Sequence, residues 1–211
     1  EEDGDITSFS TPGSSILVSA PAEYILTTKL DDGDGNRLDD FTWTAGTSFA
    51  APIVSGVIAL MLEANAELGY RDVQEILAFS AQRIESVTWS ENGAATFNGG
   101  GMLFNEDHGF GIVDASVAVR LAEAWIKQQT AYNEVMIAVD GEGAPETDLG
   151  FETDNVFSFT VESNDQFAPQ WVEVDISFAH NHAGDLVVEL VSPDGTRSVL
   201  FDRPQDGASN K

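Results

Sequence analysis

Ser48 stands in the stretch Gly-Thr-Ser-Phe-Ala-Ala-Pro, residues 46–52, at the head of an apolar run that continues to Leu62. A turn of small residues feeding an apolar helix sets a hydroxyl at the positive end of that helix. Backbone N–H groups there have no intrahelical acceptor and can stabilise negative charge. Such a position suits a nucleophile whose attack on a carbonyl creates an oxyanion. Ser48 is therefore the candidate catalytic residue. The plain alternative is a serine that only caps a helix, which is the commoner use of this residue.

Other residues offer less. His180 and His182 form a His-x-His pair that could hold a metal at a strand end. Asp32, Asp34 and Asn36 alternate like oxygen ligands within the acidic loop 31–40. Arg37 stands where a calcium loop of the EF-hand type needs glycine, and no bidentate Glu closes the loop. A solvated acidic loop is the better reading. The chain has no Cys, which removes disulfides, thiolate metal sites and a thiol nucleophile.

The elements that must carry Ser48 follow from periodicity. Ser15 to Ser19 is a short apolar segment closed by Ala20-Pro21, as for a buried strand. A helix is predicted from about Ser48 to Asn65; apolar on nearly every side, it is expected to be buried. Pro52 is assigned to its first turn, where a missing N–H costs nothing, and Gly56 to a close packing contact. A second helix is predicted over about Tyr70 to Phe79, after Gly69. A third runs from about Ala115 to Gln128 behind Asp114 as N-cap. Helices and short strands together predict an α/β class for this part, with a parallel sheet.

Beyond Lys127 the pattern changes. Residues 140–150 have linker composition. Val172 to Phe178 alternates apolar and polar residues as a half-buried strand does, Leu186 to Val191 reads as a second strand, and Pro193-Asp194-Gly195 as a turn into Ser198 to Phe201. The expected division is 1–127, a connecting stretch 128–150, and an all-β sandwich-like module at 151–211 that is short for a complete sandwich.

Charge narrows the partners. The chain of 211 residues has 36 acids and 9 bases, a formal charge of −27. That field disfavours nucleic acid and anionic membranes, because phosphate binding needs cations. It fits solubility, a salty medium, calcium binding or a basic substrate, solubility and salt being the usual reasons. No uninterrupted apolar run reaches 18 residues, so no membrane span is predicted. Glu1 begins the chain without a signal-peptide pattern, so the chain is expected to start inside something longer or to be processed.

The seven residues at Ser48 resemble the nucleophile motif of subtilisin-like serine peptidases, Gly-Thr-Ser-x-(Ala or Ser)-x-Pro. Phe9-Ser10, Gly13, Ile16 to Val18 and Ala20-Pro21 are similar to the segment before that motif. Gly109-Phe110-Gly111-Ile112-Val113-Asp114-Ala115 is similar to the family's closing signature. Together they cover about residues 6–127, in the family's order. His180-x-x-x-Gly184-Asp185-Leu186, Leu190, Ser192-Pro193, Gly195-Thr196 and Ser198 resemble the P domain of kexin- and furin-like convertases, a β-sandwich. Leu62-Glu63-Ala64-Asn65 and Arg71-Asp72-Val73-Gln74 also look closer to that branch.

The resemblance implies a serine endopeptidase, secreted by bacterial-type export, acting on a protein or peptide substrate through an acyl-enzyme on Ser48. It implies the backbone N–H of Ser48 as one oxyanion donor and structural calcium. Thr47 either adds a weak hydrogen bond behind the nucleophile or is purely structural. The family's chain order, for which subtilisin is the type case, places the catalytic Asp and His before the Ser. No His precedes Ser48. The triad is therefore incomplete, the missing N-terminal half of the catalytic domain is an implied partner, and this fragment alone is expected to be inactive. His108 sits on the structural part of the match and is a poor substitute base. Thr11 stands where furin-type enzymes place an acidic calcium ligand, so dibasic specificity does not carry over. A pseudoprotease or surface-binding protein on the same scaffold is the alternative, and an esterase a weaker third.

Overall fold

The computed structural model describes residues 4–29, 40–91, 101–138, 172–175, 186–192, 195 and 197–202. Strands β1 (Ile25–Thr28) and β2 (Phe41–Thr44) pair antiparallel, with Leu26 opposite Trp43. Helices α1 (Thr47–Ala64) and α2 (Tyr70–Ser80) follow, then the two-residue strands β3 (Ser90–Glu91) and β4 (Leu103–Phe104), also antiparallel. Helix α3 (Ala115–Ala124) precedes a single 3-10 turn at Ala131–Asn133. Strands β5 (Val187–Val191) and β6 (Arg197–Asp202) form the last ribbon.

The core lies between the three helices. Val57 and Met61 of α1, Val73, Ile76 and Leu77 of α2, and Ala118 and Ala122 of α3 are buried, with Leu68 from the α1–α2 turn. Ala118 and Ala122 are one turn apart, and their small side chains let α3 lie close against its neighbours. Asp114 caps α3 as expected, accepting the Val117 N–H at 2.9 Å. The Gly-Phe-Gly segment before it is stitched between residues 17–19 and Gln82: Phe110 N–H donates to the Leu17 carbonyl, and Gln82 and Ile112 exchange both backbone bonds.

Several expectations need correction. The buried strand expected over Ser15 to Ser19 is present only as isolated bridges at Val18 and Ser19. Gly56 is exposed with open space where a Cβ would stand, so it makes no close packing contact. The parallel sheet does not form among the described residues, where all three ribbons are antiparallel; parallel pairing is confined to the Ser19–Ile112 bridge. Helix α1 is not buried on all sides. Only Val57 and Met61 are fully buried, while Leu60 and Leu62 are 48% and 40% exposed, because α3 covers one face and no described element covers the other. Helix α3 ends at Ala124, not Gln128, since Asn65 takes the Ala122 and Trp125 carbonyls as acceptors and turns the chain away. Residues 172–175 are not in a strand, and 176–178 lie outside the described residues.

The predicted Pro193–Gly195 turn is visible at Gly195, whose N–H donates to the Ser192 carbonyl at 2.9 Å between paired strands. By length and composition α1 could cross a membrane, which counting only uninterrupted apolar residues did not register. The core helix of a folded domain has the same composition, and Val57 and Met61 give α1 that role here.

Candidate active site

The β1–β2 ribbon delivers the chain to Ser48. Its last residue, Thr44, pairs with Ile25, and two residues later Gly46 forms the N-cap of α1. Gly46 N–H donates to the Ala22 carbonyl at 2.8 Å, and the Gly46 carbonyl accepts from Phe49 N–H at 2.9 Å. These two bonds pin the turn on both sides of the backbone. Gly46 has φ 143 and ψ 148, a conformation that residues with a Cβ rarely adopt; a Cβ there would meet the Phe49 ring at an ordinary contact distance of 3.5 Å, so the backbone angle is what requires glycine.

Ser48 is thus the second residue of α1, and it is exposed. At that position its own N–H and that of Thr47 have no acceptor within the helix. The hydroxyl stands beside unpaired donors at the positive helix end, open to solvent. This arrangement can stabilise an oxyanion formed by attack from the side chain beside it. Thr47 is also exposed, and no described hydrogen bond links its side chain to Ser48.

Pro52 lies in the second turn, not the first. As the sixth residue of α1 it would have donated to the Ser48 carbonyl, and it cannot. The first turn behind the candidate nucleophile is therefore tied less tightly than in a regular helix. The spacing of Ser and Pro in the sequence contains this information once the helix start is fixed at Thr47.

The remaining candidates do not gather at Ser48. His108 is 7% exposed; its Nε2 lies 3.0 Å from the Gly4 carbonyl and its Nδ1 3.3 Å from Asn105 Oδ1. The ring also packs at 6.2 Å from Trp89. The Nε2 contact ties the N-terminal segment to the 105–109 turn, a structural role. Thr11 is exposed. His180, His182 and the loop residues 31–39 lie outside the described residues, whereas Asp40 closes the base of that loop by accepting from Lys29 N–H at 2.9 Å. Among the described residues no three His, Asp or Glu side chains converge to hold a metal. A groove lined by Leu60, Ala115 and Val119 lies near the far end of α1 and does not include Ser48.

Comparison with known proteins places these features in a family. Residues 1–111 match the Subtilase family, and residues 169–211 match the Proprotein convertase P-domain. The PC3-like endoprotease variant B of Hydra vulgaris is 37% identical over 162 residues, 74% of this chain and 22% of that protein. Furin of Rattus norvegicus is 31% identical over 170 residues, 76% of this chain and 20% of furin. The extracellular serine protease of Aeromonas sobria is 30% identical over 244 aligned residues, covering 94% of this chain and 39% of that protein. The crystal structure of the Aeromonas sobria serine protease with its chaperone superposes on 95% of this chain and 40% of that one, with a TM-score of 0.61 and 26% identity. The chain spans about a fifth of the convertases it resembles and about two-fifths of the Aeromonas enzyme. With more than half of its 211 residues matched to one family and a second match to the P-domain, the chain belongs to the subtilases, in the kexin- and furin-like branch that carries a P domain.

Proposed function

We propose that the protein containing this chain is a serine endopeptidase that cleaves peptide bonds through an acyl-enzyme on Ser48. The observation that carries this is an exposed Ser48 at the second position of α1, held there by the Gly46 turn. In the reaction the Ser48 Oγ forms a bond to the substrate carbonyl carbon while its proton passes to an imidazole. The Ser48 N–H donates to the oxyanion. Collapse breaks the C–N bond, the imidazole gives its proton to the leaving amine, and water then releases the acyl group by the reverse sequence.

Imidazole, orienting carboxylate and a second oxyanion donor must come from residues upstream of those present here, since no His precedes Ser48. In subtilisin, the type member of this family, loss of one oxyanion donor alone lowers turnover roughly 100- to 1,000-fold. Residues 1–211 by themselves are therefore inactive in this reading. The division 1–127, 128–150 and 151–211 accompanies it, with the last part the beginning of a jelly-roll-like sandwich. The named Aeromonas relative is extracellular, which supports secretion for this protein.

Calcium is the implied cation. The described residues build no cage for it, so its place in this protein rests on resemblance, and no step of the reaction is routed through it. Chelator treatment of the full-length enzyme should lower its melting temperature if calcium is structural.

The experiment is hydrolysis of a denatured protein substrate by the full-length enzyme and by Ser48→Ala. The substitution should remove at least four decades of turnover without unfolding the protein. Undiminished hydrolysis would refute the role of Ser48. A folded full-length protein that never cleaves peptides, while binding surfaces or partners, would favour the non-catalytic alternative.

A further inference from the structure

The chain leaving α3 does not go free at its end. Asp72, fully buried in the first turn of α2, accepts three hydrogen bonds. They come from Gly69 N–H at 2.8 Å, the Trp125 indole N–H at 2.9 Å and the Gln129 N–H at 2.7 Å. Gly69 N–H belongs to the cap of α2 itself, so one bond satisfies the helix start and the other two reach across 53 and 57 residues.

Further ties flank this carboxylate. Asn65, at the end of α1, donates to the Ala122 and Trp125 carbonyls. Arg71 donates to the Thr130 carbonyl at 2.9 Å and to Asn133 Oδ1. Lys127 pairs with Glu75 at 2.9 Å and lies 5.3 Å from the Trp125 ring. Backbone packing agrees with the hydrogen bonds: a Cβ on Gly69 would fall 2.1 Å from the Gln129 carbonyl oxygen, an approach only glycine permits. Glu134 continues the ties through a side-chain hydrogen bond with Tyr70 at the start of α2; beyond it residues 135–138 are exposed, with Val135 and Met136 at 75% and 84%.

We propose that residues 125–134 are a strap, latched onto α2 by Asp72, which holds the chain at its exit from the helical unit. The chain towards the β module then has a tethered start, and the exposed residues 135–138 lie past the strap. Movement of the chain beyond that point is stopped at α2 and does not pull on the end of α3. A buried carboxylate is suited to this, because each backbone or indole donor it holds would be costly to leave unpaired.

Two proteases read the two sides of the boundary in the intact protein. Trypsin can cut after Lys127 within the strap, and thermolysin before Ile137 just beyond it. In the native protein cleavage after Lys127 should be at least tenfold slower than cleavage before Ile137. Comparable rates at the two bonds would overturn the strap. Asp72→Asn keeps the volume but turns one acceptor into a donor, and should speed cleavage after Lys127 about tenfold with little change before Ile137. If helical circular dichroism is retained and Lys127 stays protected, Asp72 is not the latch. If Asp72→Asn loses its helical signal altogether, Trp125→Phe, which removes one donor only, decides by the same measurement: faster cleavage after Lys127 supports the latch, and an unchanged rate overturns it.

Discussion

At the scale of single residues the site is a matter of backbone placement. Ser48 has no special side-chain partner among the described residues; what distinguishes it is a helix start whose N-cap must be glycine. Gly46→Ala forces a residue with a Cβ into φ 143. Strained positions of this kind cost on the order of 1–3 kcal/mol. The turn can relieve that strain only by moving Ser48, so full-length Gly46→Ala should lose at least tenfold in kcat with a smaller change in KM. An unchanged kcat would mean the turn does not position the nucleophile. Asp114 gives a control away from the site: Asp114→Ala removes the α3 cap and should cost about 1 kcal/mol in denaturant unfolding, with activity intact.

Elements tell how far sequence reasoning reaches. Starts of helices were legible because caps are local: Asp114 stands three residues before the N–H it binds, and Gly69 adjoins Tyr70. The Gly195 turn was legible for the same reason. The end of α3 was not, because the groups that stop it, Asn65 and Asp72, lie more than 50 residues away in sequence. Exposure of α1 was equally hidden, since an apolar helix reports its own composition and not which neighbours cover it. Met61 and Ile76, both without exposed surface, mark where the three helices meet. Met61→Ala or Ile76→Ala should each cost about 2–5 kcal/mol by the lost transfer energy and the cavity left behind. A loss under 1 kcal/mol would show the helical core to be loose.

Tyr70 adds a titratable probe of the same region. Its phenol is raised above its ordinary value, first by a side-chain hydrogen bond with Glu134, then by desolvation and by the Glu134 charge. A raised value means the contact is fully present below the ordinary tyrosine range and is lost as pH rises through the folded value. Spectrophotometric titration should show Tyr70 ionising above the ordinary tyrosine range, and Glu134→Gln should lower that value.

Over the whole molecule, the charge of −27 is spread along the chain, so its repulsion opposes compaction everywhere. Raising salt screens it, and the melting temperature should climb between low and about 1 M salt. A flat response would show that the acids are already locally neutralised. The proposed function implies a division of labour: this chain supplies a nucleophile and one oxyanion donor, and the base that activates them is supplied from outside it. Covalent labelling tests that claim most directly. The full-length protein treated with a phosphonofluoridate, digested and mapped by mass spectrometry, should carry one label, on Ser48, and residues 1–211 alone should carry none. A label on any other residue, or equal labelling of the isolated chain, would contradict the account.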